Sequence, residues 1–347
     1  MKGAMKRFYK QEFFMKKILI FTIFLLSLIS LSCNGKKGTT STSKAEKGSA
    51  ENPFLLGVSP MSGWYGWYGI DGTGIFKKND VSVKIQFFPV YSDSLTAFYS
   101  GQLDGICIAA SDVIAPMNEG VDFKVVLVND NSFGADGLVV HEGISSISDL
   151  KGKSVSTEIG TLEHMFLLKI LEDNGLTIND INFSNMTIND AGPAFIAKSV
   201  DAAVLWEPTL STAIAAGGKL LYSTKETPGL IPDTLAVTAK ILSESPEAVQ
   251  KIVDSWFEGV EKLAVREEEM IASVCKGAEL SKEEYLVMLD GVTLFDKKMN
   301  QSTFKAAGDY TSLPYTLQKS AEFLKSTGMI EKIPDDVAKI LDDSFIK

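Results

Sequence analysis

The segment Ala202-Ala-Val-Leu-Trp-Glu-Pro208 contains the unit on which the fold is built. Its apolar run predicts a strand buried on both faces over 202–206, followed by a helix over 208–216. The same alternation extends outward, and other strands are expected over 54–58, 81–89, 105–110, 125–128, 137–140, 153–157 and 183–187, with helices over 92–100, 161–174 and 193–198. Strands alternating with helices of this length predict an α/β fold with sheets of the parallel type.

The pattern restarts once and then becomes helical. After His141 the strand–helix alternation begins again, and from residue 245 onward helices are expected. Ser245-Pro246-Glu247 is a well-formed helix start, with an N-cap residue, a proline at the first position and an acid in the first turn. Two α/β blocks with a helical tail predict two lobes, the second inserted into the first.

Composition limits the classes of function. The 347 residues include 34 basic and 44 acidic side chains, for a net charge of −10, which disfavours nucleic acid as a partner. Only two histidines and three cysteines are present, too few for a multi-histidine zinc site. Composition alone does not exclude a metal site made of carboxylates, although neither a metal nor a cofactor is predicted.

The N-terminal residues are typical of an export signal. Lys16 and Lys17 precede an apolar run over 18–31, which is short for a membrane span. Residues 1–32 are therefore expected to be a lipoprotein signal peptide, with Cys33 as the lipid-attachment residue and 33–52 as a flexible tether. Ser30 replaces the usual aliphatic residue, so an uncleaved signal anchor is the alternative. The protein is expected to be exported and lipid-anchored at the periplasmic or extracellular face of the membrane.

Several predicted strands end in polar or aromatic residues, where open α/β sheets bind their ligands. The candidate ligand-binding residues are Trp64, Trp67, Tyr68, Asp112, Asp136, Glu158, Thr161, Trp206 and Glu207. Acids beside aromatic rings favour a small ligand with a positive charge or N–H donors. Glycines 63, 66 and 69 favour the close approach of another group to the aromatic segment.

Each candidate also has a purely structural interpretation. The aromatic rings could pack in the core, and Trp206 could close the end of its strand. Asp112 could cap a helix, Asp136 could lie in a turn, and Glu158 and Glu207 could stabilise helix starts. For Cys107 and Cys275, two free thiols are expected rather than a disulfide.

Short motifs in a fixed order resemble a known family. Asp149-Leu-Lys-Gly-Lys-Ser-Val155, then Gly160-Thr161, then the segment 201–208, are similar to the substrate-binding proteins of nitrate/taurine-type (NitT/TauT-like, SsuA/ThiY-like) ABC importers. The resemblance runs from about residue 54 to the end. It implies a two-lobed, type II periplasmic-binding-protein-like fold, each lobe a mixed sheet flanked by helices, with the ligand in the cleft. Lobe 1 is expected over 53–140 and 233–347, and lobe 2 over 141–232, with hinges near 139–143 and 230–236.

The resemblance also implies a function. The chain is expected to be the solute-binding component of an ABC importer and not an enzyme, acting as a monomer with permease and ATPase subunits. The expected ligand is a cationic or zwitterionic metabolite, such as a guanidine-like amine, an aminopyrimidine or taurine, whose amino group would meet Glu207. The alternatives are an anion such as nitrate or an alkanesulfonate, a pyrimidine-precursor synthase-like enzyme, and a surface adhesin.

Overall fold

The computed structural model describes residues 45–347. The predicted signal peptide, Cys33 and the first part of the predicted tether lie outside the described residues. Within them no helix is long and apolar enough to cross a membrane. Eleven strands are found in this part of the chain: β1 Phe54–Val58, β2 Val83–Phe87, β3 Gly105–Ala109, β4 Phe123–Ser132, β5 Asp136–Val140, β6 Ser154–Thr157, β7 Asn182–Asn185, β8 Ala202–Trp206, β9 Lys219–Ser223, β10 Pro232–Thr238 and β11 Val292–Leu294.

The helices follow the predicted alternation. They are α1 Gly66–Gly72, α2 Ile75–Lys78, α3 Tyr91–Tyr99, α4 Ile114–Asn118, α5 Leu162–Asp173, α6 Ile188–Ile196, α7 Thr209–Ala215, α8 Ala239–Glu244, α9 Pro246–Ala264, α10 Glu268–Ala278, α11 Lys282–Leu289, α12 Lys297–Thr303 and α13 Leu313–Ser326. The helix expected over 193–198 begins earlier, at Ile188, and Pro193 lies inside it. Pro193 is the sixth residue of α6, so the Asn189 carbonyl has no helical N–H donor four residues further on.

The strands form two mixed sheets, one for each lobe. The first has the order β11-β4-β10-β3-β1-β2 and the second the order β7-β6-β8-β5-β9. β1 pairs in parallel with β2 and β3, whereas β10 is antiparallel to both β3 and β4. In the second sheet β5 is antiparallel to β8 and β9. The strand that follows each crossover, β5 or β10, therefore runs against both of its neighbours. The fold is the expected two-lobed type II architecture.

The strand pairing places the first crossover earlier than expected. β5 covers 136–140 and belongs to the second sheet, so the chain leaves the first sheet at 133–135, not at 139–143. It returns at 224–231, between β9 and β10. The short apolar run of β5 resembles the neighbouring strands in sequence, and only its pairing partners show which sheet it joins. The division into lobes remains a proposal, with its first boundary moved to this crossover.

Glycines 63, 66 and 69 allow a close approach, but by the protein itself. A Cβ at Gly66 would lie 2.9 Å from Leu263 of α9, and one at Gly69 would lie 2.2 Å from the Met270 sulfur of α10. Two helices of the C-terminal half therefore pack directly on α1. At Gly63 the nearest atoms are those of the Asp130 carboxyl group.

Candidate functional site

The two crossovers lie side by side at the base of the cleft. The Thr224 hydroxyl is 2.7 Å from the Ser132 hydroxyl, and it accepts a hydrogen bond of 2.7 Å from the Gly134 backbone N–H. Gly134 has φ of +117°, a conformation that favours glycine. A hydroxyl on the returning segment thus ties together the two connections on which any movement of the lobes depends.

Three aromatic rings meet where the lobes face each other. The Trp64 ring, after β1, lies 5.5 Å from the Tyr91 ring at the start of α3. Tyr91 in turn meets the Trp206 ring, at the end of β8 in the second lobe, edge-on at 5.6 Å. Trp64 and Trp206 were expected here, whereas sequence reasoning missed Tyr91. A second contact between lobes is the hydrogen bond of 2.9 Å from Asn189 Nδ2 to the Pro89 carbonyl. The lobes are therefore in contact at the cleft.

Trp67 and Tyr68 lie apart from this aromatic group. The Trp67 ring packs 4.8 Å from the Trp256 ring and stacks on Phe76, and it is fully buried in the core of the first lobe. Tyr68 lies against Gly277 of α10. This geometry does not bring them to the aromatic group at the cleft, because α1 turns that face of the segment toward the C-terminal helices. The core-packing interpretation is the one that the structure shows for both.

Five acidic side chains, here called the carboxyl cluster, gather between the sheets. Its members are Asp112, Asp130 and Asp233 from the first lobe and Asp136 and Glu163 from the second. All but Asp112 are fully buried, and Asp112 is half-buried. In residues 45–347 neither a lysine nor an arginine is among the buried residues. The same residues include no group of three His, Cys, Asp or Glu side chains able to hold a metal ion. The cluster is therefore an acidic site without a compensating protein cation.

Asp112 is held by hydroxyl groups. The Tyr91 hydroxyl donates to Asp112 Oδ2 at 3.0 Å, and the Ser111 hydroxyl donates to Oδ1 at 3.1 Å. Burial raises the pKa of Asp112 to about 7, although these bonds and the Leu162 backbone N–H favour the charged form. Because Leu162 begins α5, a carboxylate of one lobe lies near a helix start of the other. Asp112 is inside a short 3₁₀ helix, so the interpretation as an N-cap was wrong.

Asp130 and Asp233 face each other on adjacent strands. They are register partners in the antiparallel pairing of β4 and β10. Burial raises the pKa of both well above the ordinary range of an aspartate, and repulsion adds to the effect, from Asp136 on Asp130 and from Asp130 on Asp233. In the described part of the chain, no donor makes a hydrogen bond to any of their four carboxyl oxygens. Sequence reasoning missed both, although Asp130 follows a buried apolar run just as Asp112 does.

Asp136 and Glu163 form the second facing pair. Asp136 is the first residue of β5, not a turn residue, and Glu163 lies in the first turn of α5. Burial raises the pKa of Asp136 to about 6, an effect limited by the nearby Ser132 hydroxyl and Glu163. Burial and the adjacent Asp136 carboxyl group raise the pKa of Glu163 well above its usual range. The sequence analysis missed Glu163, whose position on an otherwise apolar helix face was the available signal.

The remaining candidates make local contacts. Glu207 accepts from the Ser211 backbone N–H at 3.0 Å and from the Ser211 hydroxyl at 2.6 Å, which is the capping role kept open as its alternative. Burial still raises its pKa. The Thr161 hydroxyl donates to the Glu158 carbonyl at 2.8 Å. The Glu158 side chain lines a cavity of about 520 Å³ between the lobes, together with Ser92 and Asp190. Both thiols are unpaired, with Cys107 buried and Cys275 half-buried.

Comparison with known proteins identifies the family. A model of the NMT1/THI5-like family matches residues 66–270, and the chain belongs to this family. A Bacillus subtilis (strain 168) protein named "Putative aliphatic sulfonates-binding protein" is 27% identical over 336 residues, covering 95% of each chain. Among solved structures, the periplasmic aliphatic sulphonate binding protein SsuA from Escherichia coli has a TM-score of 0.70 at 21% identity, covering 84% of this chain and 92% of that one.

Two further structures bear on ligand and on enzyme class. The alkanesulfonate-binding protein SsuA from Xanthomonas axonopodis pv. citri, bound to MOPS, has a TM-score of 0.69 at 16% identity, covering 87% of this chain and 100% of that one. The desulfurization enzyme DSZB shares the fold with a TM-score of 0.62 at 11% identity, covering 87% of this chain and 97% of that one. The relatives' names favour the anionic alternative of the sequence analysis over the cationic ligand that it preferred.

Proposed function

We propose that this protein is the solute-binding component of an ABC importer, and that its ligand is an aliphatic sulfonate that also bears a basic nitrogen. The observation that supports the sulfonate is the relative named for aliphatic sulfonates, which aligns over 95% of both chains. Capture in the cleft, without chemical change of the ligand, is the proposed activity. Delivery to permease and ATPase subunits follows from that role.

The carboxyl cluster is the reason for adding a basic nitrogen. An anion alone would enter a cleft whose buried ionisable groups are acidic, and like charges at close range in a poorly solvated site repel strongly. A ligand with an ammonium group would compensate those carboxylates and gain charged hydrogen bonds of about 1.5–3 kcal/mol each. MOPS, found in one structural neighbour, itself combines a sulfonate with a basic nitrogen.

The sulfonate end can be held without a basic side chain. The Ser59 and Ser62 hydroxyls and the Trp64 indole N–H, all after the carboxyl end of β1, are buried and have no hydrogen-bond partner in the described residues. Neutral donors of this kind bind oxyanions when they converge in a closed site. Donors and carboxylates in one cleft match a zwitterion.

A sulfur-free amine is the second candidate. The specific observation in its favour is that neither a lysine nor an arginine is among the buried residues of 45–347, whereas the carboxyl cluster is buried. In that case the protein would have kept the fold of its relatives and changed the charge of the ligand. The carboxyl cluster would then bind a guanidine-like amine or an aminopyrimidine.

Three small ligands separate these possibilities. Taurine carries both groups, ethanesulfonate lacks the nitrogen and ethylamine lacks the sulfonate. Calorimetric titration at pH 7 should show taurine binding at least about tenfold more tightly than either single-group ligand, the scale of one charged hydrogen bond. If ethanesulfonate binds as tightly as taurine, the ligand does not need a basic nitrogen. If ethylamine binds more tightly than taurine, the sulfur-free amine is the better candidate. No binding of any of the three would remove the aminosulfonate proposal.

We also propose that Cys33 is the lipid-attachment residue and that the protein is anchored at the outer face of a cell membrane. The support is the apolar run over 18–31 and the small residue before Cys33. Cys33→Ser should abolish incorporation of labelled fatty acid and leave unprocessed or released protein in cell fractions. Cys275→Ser is the matched control and should label normally. Fatty-acid labelling that persists in the Cys33 variant would end this assignment.

A further inference from the structure

The pair formed by Asp136 and Glu163 has no explanation in the packing of the fold. Both side chains are fully buried, and none of their four carboxyl oxygens receives a hydrogen bond from the described residues. The two carboxyl groups are nevertheless close enough for each to influence the ionisation of the other, although no hydrogen bond joins them. Two ionised carboxylates in this position would repel, so a proton or a cation must lie between them.

Every ionisable group that influences this pair is acidic. Asp130 and Asp233 approach from the first sheet, Asp112 from the segment after β3, and Glu207 from the end of β8. The nearest histidine in the chain, His164, stacks its ring on Phe183 at 5.2 Å and accepts from the Gly160 backbone N–H. The described protein therefore supplies no cation to the pair.

A second, independent observation indicates that the cleft binds a polar ligand. The Trp64 indole N–H and the Ser62 hydroxyl are buried donors without partners, although they flank Gly63, which contacts the Asp130 carboxyl group. Buried donors and acceptors that leave each other unsatisfied are unusual in a folded protein, since each costs about 1–3 kcal/mol. A ligand with hydrogen-bond acceptors at one end and donors at the other would bond both the unpartnered donors and the unpartnered carboxyl groups.

We propose that Asp136 and Glu163 form an ammonium-binding subsite, in which a primary ammonium group of the ligand takes the place of a proton and contacts the buried, unpartnered oxygens of both side chains. The subsite rests on the proposed capture function and names its nitrogen-binding residues. One proton leaves to solvent for each ammonium bound, so the pair changes from one negative charge to two as the ligand brings one positive charge. The three N–H donors of a primary ammonium can reach both carboxylates.

Proton release is the signature that tests the subsite. Calorimetric titrations of taurine at pH 7, in phosphate and in Tris, give the protons exchanged from the difference in apparent enthalpy. We expect release of about one proton with wild type. Glu163→Gln should reduce this release to near zero and weaken taurine binding by roughly 10- to 100-fold. Glu172→Gln, on the exposed side of the same helix, is the matched control and should behave as wild type.

Measurements without taurine test the subsite even if the ligand is not a sulfonate. Failure of taurine to bind wild type would overturn the proposed ligand and leave the pair to be judged by titration of the free protein. In carbon-13 NMR, a carboxyl resonance that titrates above pH 5, shifts with ethylammonium chloride and is lost in Glu163→Gln would support it. No such resonance, or the same proton release in wild type and the Glu163 variant, would overturn it.

Discussion

Tyr91 has the greatest number of roles among single residues of the site. Its ring lies between Trp64 and Trp206, its hydroxyl donates to Asp112, and the same oxygen accepts from the Ala109 backbone N–H at 3.1 Å. One side chain therefore connects the first lobe's strand end, the carboxyl cluster and the facing lobe. Such a residue is hard to recognise in a sequence, because its partners come from three separate segments.

Tyr91→Phe should lower the free energy of unfolding by about 1.5–3 kcal/mol. The change removes a hydrogen bond to a carboxylate and leaves a buried backbone N–H without a partner. Urea unfolding measures the effect. Tyr99→Phe is the comparison, because Tyr99 donates only to the Asp112 carbonyl, at 3.1 Å, and should cost about 1 kcal/mol. Equal losses in the two variants would contradict a special role for the carboxylate contact.

The raised pKa values also predict how stability depends on pH. Asp112, with a pKa of about 7, and Asp136, with a pKa of about 6, bind protons more tightly in the folded than in the unfolded chain. Their contribution is complete below about pH 4 and is lost as the pH rises through 6 to 7. The ligand-free protein should therefore be about 2–3 kcal/mol less stable at pH 8 than at pH 5.5.

Urea unfolding at constant ionic strength tests this pH dependence. Asp112→Asn should make the curve less steep between pH 5.5 and 8, since it removes a carboxyl group whose pKa of about 7 lies within that range. Asp335→Asn, at an exposed position near the C-terminus, should leave the slope unchanged. If the free energy of unfolding instead rises from pH 5.5 to pH 8, ionisation of the carboxyl cluster does not destabilise the folded protein.

At the scale of elements, the loop between β1 and α1 fits tightly against β4. A Cβ at Gly63 would lie 1.9 Å from Asp130 Oδ2, closer than nonbonded atoms approach. The loop cannot shift freely, because α1 is pressed against α9 and α10 on its other side. The position of the Trp64 ring is therefore set by helices from the far end of the chain.

Gly63→Ala should displace this loop and weaken ligand binding. We expect a loss of stability of about 1–3 kcal/mol, typical of an overpacked site, together with reduced ligand affinity in calorimetry. Gly308→Ala is the matched control, because a Cβ there meets no atom within 4 Å. A fully stable Gly63 variant with normal affinity would mean that Asp130 moves aside without consequence.

The elements were largely predictable from the sequence, and the site only in part. Buried strands such as β3 and β8 and the start of α9 at Pro246 have local signals, so their bounds are within a residue or two of those expected. The carboxyl cluster has no local signal, since Asp130 and Asp233 become neighbours only when β10 returns antiparallel to β4. The sheet to which β5 belongs, and the core position of Trp67, likewise depend on long-range pairing.

At the scale of the whole molecule, the joined crossovers determine how the lobes can move. The Thr224 hydroxyl contacts Ser132, at the end of β4, and Gly134, on the outgoing connection, and so joins the two connections at this point. A coupled pair of short connections favours rotation of one lobe against the other over independent movement of either strand. A rotation that separates the lobes would break the hydrogen bond between Asn189 and Pro89.

Thr224→Val should loosen this connection. The change keeps the shape of the side chain and leaves the Gly134 N–H without its acceptor, so stability should fall by about 1–3 kcal/mol. X-ray scattering of the ligand-free variant should show a larger radius of gyration than wild type. Thr227→Val is the control, because that hydroxyl is buried without a partner and its loss should be neutral or stabilising. Identical scattering from both variants would contradict the coupling.

The distribution of tryptophans gives the molecule a built-in optical reporter. Of its four indoles, Trp67 and Trp256 are packed together in the core, whereas Trp64 and Trp206 lie on opposite lobes with the Tyr91 ring between them. Separation of the lobes would expose Trp206 to water and leave the core pair unchanged. Intrinsic fluorescence therefore follows opening and closing against a constant internal reference, without any attached dye.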